Sequence, residues 1–378
     1  MDHASACEAH VLRSAIDRLR RYVAASVIVL GVFSIGGNTA EKDLASRFPL
    51  ISVESDSAAS AHAQQPKNYA SGQSTDWFQA LPSTSPSGRA GHAMAYNRVT
   101  GQLILFGGAN SGGVLNDTWI WDGATWTQLF PSTSPNARYN HAMAFDPSFG
   151  GIILFGGNDA VGILNDTWGW DGTHWTQLFP ATSPYARLGH AMAYDLITDQ
   201  LILFGGVNSG GALNDTWIWD GTTWTELAPS NSPNARYGVA MTFDSAHQQM
   251  ILFGGQGAAD TFNDTWLWDG TNWTQLAPAE SPSAREYAAI AFDSVHDQLV
   301  LFGGKSPGGI LNDTWVWGGT NWTQLNPPNS PSARYLYAMA SDLVRGELVL
   351  LGGNGVGSYL NDTWRISGDV IFVDGFDP

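Results

Sequence analysis

The stretch Trp119-Ile-Trp-Asp-Gly-Ala-Thr-Trp126 recurs at 168–175, 217–224, 266–273 and 315–322, each copy 49 residues after the last. Asp-Thr precedes every copy, as in Asp117-Thr118, and a sixth copy opens at Trp364 without completing the pattern. All 17 tryptophans fall in this frame. Fifteen belong to the five full copies, and the others are Trp364 and Trp77, which stands 49 positions before Trp126. A repeat with a period of about 20 to 50 residues marks a solenoid, a propeller or an array. It overrides the 378-residue length, which alone would suggest two or three domains.

Each unit reads as four short strands. In the first unit they are 91–96, 102–106, 117–121 and 126–129, with Asp122-Gly123 as the hairpin turn between the last two. Gly107-Gly108 ends the second strand, where the backbone needs a conformation that a side chain would block. Pro135 and its equivalents precede each first strand, where a missing N–H breaks no ladder. A four-stranded sheet of this size cannot bury both faces alone. Stacking the sheets around an axis buries them, with Trp119, Trp121 and Trp126 as filler worth about 2–3 kcal/mol each.

Double glycines at 107, 156, 205, 254, 303 and 352 count six units. The sixth has Ile371 where its fourth-strand tryptophan belongs, while Asp76-Trp-Phe-Gln-Ala-Leu81 supplies an orphan fourth strand at the other end. The expectation is an all-β, six-bladed propeller over 76–366, closed by the N-terminal strand so that no sheet edge is left open. The segment Val370-Ile-Phe-Val373 is the competing closer; it fits the frame but lacks the tryptophan.

Outside the repeats, Arg13, Arg18, Arg20 and Arg21 precede an uncharged apolar run over 22–37. A basic flank followed by about 16 apolar residues has the layout of a secretory signal, since a spanning helix needs about 20. Residues 1–40 are read as a signal peptide or signal anchor, with cleavage after Ala40 or Ala63, 41–75 as a flexible linker and 367–378 as a tail. The expected location is secreted or periplasmic in a bacterium, the alternative being an inner-membrane anchor through 22–37. A net charge of −17 argues against nucleic acid and anionic membrane surfaces as partners, which leaves membrane contact to an uncleaved 22–37 segment. The sole cysteine, Cys7, precedes the repeats, so these have neither disulfides nor thiol chemistry. A monomer is expected.

An arginine opening strand one, an apolar strand two ending in Gly-Gly, and the spacing from aromatic-Asp to Trp resemble the Kelch repeat. The region 76–366 is similar to six-bladed Kelch propellers of the galactose-oxidase central-domain kind, and the tail to the Ile-Phe-x-Asp-Gly-Phe endings of some secreted proteobacterial proteins. The resemblance implies binding of proteins or ligands on one face, and in a few members catalysis. Galactose oxidase needs a copper site with a crosslinked cysteine, which a chain with no cysteine after position 7 lacks. The enzyme alternative is a periplasmic sugar mutarotase similar to Kelch-type sialic-acid epimerases. Glu286 is the one candidate acid/base among the variable positions after the ring arginines.

Arg89, Arg138, Arg187, Arg236, Arg285 and Arg334 open the six inner strands and hold more than half of the ten cations between 76 and 366, against 24 acids. They read either as an anion funnel or as partners of Asp117, Asp166, Asp215, Asp264, Asp313 and Asp362, because strands one and three start at the same face. His92, His141 and His190 follow three of the arginines, on separate blades. No metal, catalytic residue or cofactor is assigned. The positions after the arginines break the symmetry, and there Tyr139, Tyr237, Tyr287 and Tyr335 suit carbohydrate or peptide contacts. The expected function is a non-catalytic protein- or glycan-binding module acting through the face that bears the arginine ring, with a membrane-anchored surface scaffold as the alternative if 22–37 is not cleaved.

Overall fold

The computed structural model describes residues 76–367, all strand, turn or loop, with no helix. Six four-stranded antiparallel sheets form the blades. Each inner strand packs against that of the next blade, and the sixth packs against the first, so the ring is closed. Blade one consists of Ala93–Asn97, Gln102–Asn110, Gly113–Trp121 and Trp126–Leu129. The inner strand starts two residues later than the sequence frame suggests, because Gly91 and its equivalents hold positive φ and leave the ladder. In blades one, five and six the middle ladder continues past the glycine pair after a register shift, as between Phe106 and Gly108.

The N-terminal strand closes the ring. Trp77–Ala80 lies antiparallel to Tyr359–Ser367, with Trp77 opposite Ile366 and Ala80 opposite Thr363. The competing segment Val370-Ile-Phe-Val373 lies outside the described residues. The place beside Tyr359–Ser367 is taken by the Trp77 strand.

The core consists of apolar layers between neighbouring blades. Trp219 and Trp224 of blade three pack with Leu201 and Leu203 against Ile153 and Phe155 of blade two. The three tryptophans of a repeat differ in role. The fourth-strand tryptophan is fully buried and its Nε1 donates across the blade boundary to the threonine of the preceding Asn-Asp-Thr triplet. Trp126 reaches Thr363, Trp175 reaches Thr118, Trp224 reaches Thr167, Trp273 reaches Thr216 and Trp322 reaches Thr265, all at 2.9–3.0 Å. Trp77 reaches Thr314 in the same way, so this belt of bonds is closed too. Trp119 and its equivalents donate to their own blade's aspartate. Trp121, Trp170, Trp219, Trp268 and Trp317 are buried with Nε1 unpartnered.

At the opposite end of the inner strands Asn97, Asp146, Asp195, Asp244, Asp293 and Asp342 are almost wholly buried. Their Oδ1 atoms accept N–H groups of the hairpin that follows, as Asn97 does from Val99 at 2.9 Å and Asp146 from Ser148 at 2.8 Å. His247, His296 and Arg345 pair with three of the carboxylates at 2.6–2.8 Å. Two faces result: an arginine face where inner strands begin and a hairpin face where they end.

Candidate functional site

On the arginine face, the strand order inside a blade brings the start of strand one beside the start of strand three. Arg89 Nη1 and Nη2 therefore donate to Asp117 Oδ1 and Oδ2 at 2.6 and 2.7 Å. Nη1 also reaches the Gly107 carbonyl at 3.0 Å, and Nε the Ser87 carbonyl at 3.0 Å. The same bidentate pair repeats from Arg138–Asp166 to Arg334–Asp362, with every arginine side chain at 0% exposure. Ser87, Ser283 and Ser332 accept the remaining Nη2 donor in three blades. Burial alone would push the Asp117 carboxyl up. Hydrogen bonds and charge from Arg89, with the indole of Trp119, outweigh it and hold the group below the usual carboxylate range. Asp166, Asp215, Asp313 and Asp362 are lowered for the same reasons. The arginines thus form a buried tier that ties strand one to strand three, with their donors turned to the protein.

Above this tier the six residues two places after the arginines ring the channel. Gly91, Asn140, Gly189, Gly238, Tyr287 and Leu336 all have φ between 51° and 67°. In this conformation each N–H points at the carbonyl of the blade before: Asn140 to Gly91, Gly189 to Asn140, Gly238 to Gly189, Tyr287 to Gly238, Leu336 to Tyr287 and Gly91 to Leu336, at 2.7–3.3 Å. The result is a complete cycle of six backbone hydrogen bonds around the axis. Tyr287 lies across its mouth. A Cβ on Gly238 would come within 3.2 Å of the tyrosine ring, and one on Gly189 within 3.3 Å of its hydroxyl.

Around this cycle stand the other sequence-predicted residues. Tyr237 packs on Tyr287 with ring centroids 6.0 Å apart. Tyr139 and Tyr335 are braced by the loops after the glycine pairs, through Asn158 Nδ2 at 2.8 Å and Asn354 Nδ2 at 2.9 Å. Glu286 meets Lys305 at 3.7 Å, and Lys305 lies 5.7 Å from the centre of the Tyr335 ring. Burial raises the Glu286 carboxyl against the opposing pull of Lys305. The phenol of Tyr287 is raised by burial and by the nearby Glu286 charge. The structure thus gathers Tyr237, Glu286, Tyr287, Lys305 and Tyr335 on blades four to six, while Ala90 and Leu188 occupy the equivalent places in blades one and three.

The chain matches a family model described as the KLHDC2/KLHL20/DRC7 Kelch-repeats domain over residues 68–220, 172–279 and 221–369. It belongs to the Kelch-repeat family. No curated protein matches it. The Kelch propeller is a fold of protein-interaction modules, and the fold by itself names no ligand.

Below the backbone cycle of this Kelch propeller, His92, His141 and His190 line a void of about 110 Å³ together with Val239, Ala288 and Tyr337. His92 Nε2 lies 3.1 Å from the Leu351 carbonyl oxygen, and the Nδ1 atoms of all three imidazoles have no partner. Burial first, then the neighbouring arginine, lowers His92 and His190 to about 3 and His141 well below its ordinary value, so all three are neutral at pH 7. Among the described residues no three His, Cys, Asp or Glu side chains converge on a possible metal position.

Further along the axis, Met94, Met143, Met192, Met241, Ile290 and Met339 form the next tier, and Tyr96, Phe145, Tyr194, Phe243, Phe292 and Ser341 a tier at the hairpin face. Sequence reasoning did not find the backbone cycle or this bore. Glycine at 91, 189 and 238 was the signal for the cycle, hidden by Asn140, Tyr287 and Leu336. Methionine at five of six equivalent positions was the signal for the bore.

Proposed function

We propose that this Kelch propeller is an exported, non-catalytic binding module that engages a protein partner through the tyrosine cluster of its arginine face. The observation that carries the reading is the one-sided gathering of Tyr237, Tyr287 and Tyr335 with the Glu286–Lys305 pair at the channel mouth. Partly exposed tyrosines on a rigid frame provide large contact area at little entropic cost. The buried Arg–Asp pairs support that frame from beneath. Residues 1–40, with their basic flank and apolar run, support export. Crosslinking capture from the producing organism's extracellular fraction, with wild-type chain beside a Tyr237→Ala/Tyr335→Ala double variant, tests the reading. One protein crosslinked by the wild type and lost with the double variant supports it. Equal capture by both would sink it, and retention on a glycan array instead would make the partner a carbohydrate.

A second reading rests on Glu286, whose raised carboxyl beside Tyr237 and Tyr287 is the arrangement an acid/base needs. Sugar mutarotation abolished by Glu286→Gln would establish it; no mutarotation by the wild type would dismiss it.

A further inference from the structure

The hairpin face opens into a cavity of about 210 Å³ bounded by the aromatic tier and floored by the methionines. A further void of about 170 Å³ continues past Met94 and Met192 toward the histidine tier. The backbone cycle and Tyr287 lie at the far end. Methionine side chains line the floor of the bore, and a thioether adapts to an apolar guest. An apolar cavity of about 150 Å³ suffices for a benzene-sized guest.

Arg98 is the one charged side chain that lines the open end, while Asp146, Asp195, Asp244, Asp293 and Asp342 of the same face are buried. Between residues 76 and 367 there are ten Lys and Arg side chains. Six pair with the Asn-Asp-Thr aspartates, Lys305 with Glu286, Arg345 with Asp342 and Arg365 with Glu347. Arg98 is the one with no ion pair among the described residues, although acids outnumber cations more than two to one. It is exposed, and it lines the mouth of this bore beside Tyr96. The far end is lined by three neutral imidazoles with Val239, Ala288 and Tyr337, so a guest's apolar end points inward and its charge outward.

We infer that this bore is a binding site for a medium-chain aliphatic carboxylate, its chain among the methionines and its carboxylate on Arg98. The site lies on the face opposite the tyrosine cluster and is independent of it. Tyr194 donates to Asp199, and Ser341 to the Phe292 carbonyl at 2.6 Å. Tyr96, Thr242 and Ser245 line the mouth as well, and the Arg98 guanidinium, its one charged group, is the anchor.

Isothermal titration calorimetry of the full-length chain with octanoate tests the inference. The expected result is one-to-one binding with a negative heat-capacity change, from burial of the chain. Arg98→Gln should weaken it about ten-fold, the worth of one charge-assisted contact. Octylammonium, of the same length and opposite charge, should bind at least about ten-fold more weakly. Ser341→Phe, which completes the aromatic tier and narrows the mouth, should also weaken octanoate. A Tyr237→Ala variant should bind octanoate as the wild type does. No binding at millimolar octanoate, equal binding of octylammonium, or an unchanged affinity in a folded Arg98→Gln would each overturn the proposal.

Discussion

Trp77 Nε1 donates to Thr314 Oγ1 at 3.0 Å, joining residues 237 apart in sequence and fastening blade six to blade five. The indole is fully buried and meets Phe302 at 5.2 Å, edge to face. Trp77→Ala should therefore cost about 3–5 kcal/mol, the range for removing a large buried aromatic. Trp77→Phe keeps most of the packing and leaves the Thr314 hydroxyl unpaired, so about 1–2 kcal/mol is expected. Urea unfolding followed by tryptophan fluorescence measures both. A Trp77→Ala chain as stable as the wild type would mean that the ring does not depend on this strand.

Two tryptophans of one repeat, five residues apart, should respond differently to the same change. Trp224 donates to Thr167 at 3.0 Å, whereas the equally buried Nε1 of Trp219 has no partner. Trp224→Phe strands the threonine hydroxyl and should cost about 1–3 kcal/mol beyond the lost area. Trp219→Phe removes an unsatisfied donor along with its ring atoms, and those two effects oppose each other. The difference between the two chemical-denaturation midpoints is the readout, and equal destabilisation would contradict the hydrogen-bond assignment.

The Arg187–Asp215 pair, bidentate at 2.6–2.7 Å with the arginine fully buried, predicts strong non-additivity. Arg187→Met leaves Asp215 without its cation, at a cost of about 3–5 kcal/mol. The double variant Arg187→Met/Asp215→Leu removes both charges and should cost less than either single change. A double-mutant cycle by thermal and urea unfolding checks this. Additive losses would show that the two side chains act separately.

The period of 49 revealed the blades because tryptophan, Gly-Gly and Asp-Gly each have one dominant physical use in a small twisted sheet. Strand direction also brought each arginine to its aspartate. What stayed hidden depended on contacts between blades. The threonine of Asn-Asp-Thr looks like a turn residue until Trp126 is seen reaching Thr363 from the neighbouring sheet. The positive φ of Tyr287 and Leu336 is imposed by the backbone cycle, since neither residue type favours it. Asp146 and Asp195 likewise look like ordinary turn formers in sequence, and only burial sets them apart as caps of the hairpin face. The special position of Arg98 emerges only after every other cation has been matched to a carboxylate.

Acid should weaken this propeller in two successive steps. His92 and His190, lowered to about 3 by burial, bind fewer protons folded than unfolded, where histidine titrates near about 6.5. Stability therefore falls as the pH drops from about 6.5 toward 3, by up to about 1.4 kcal/mol per pH unit for each ring. The depressed aspartates Asp117 and Asp215 act in the same direction, but their stabilisation is fully present above the unfolded value of about 3.9 and is lost only below it. His190→Val, which installs the residue blade four carries as Val239, isolates the first step. Between pH 7 and 5 the variant should lose about 2 kcal/mol less stability than the wild type, measured by urea unfolding at each pH. Parallel losses in the two chains would show that His190 already carries its proton when folded, and that the tier beneath the backbone cycle is charged.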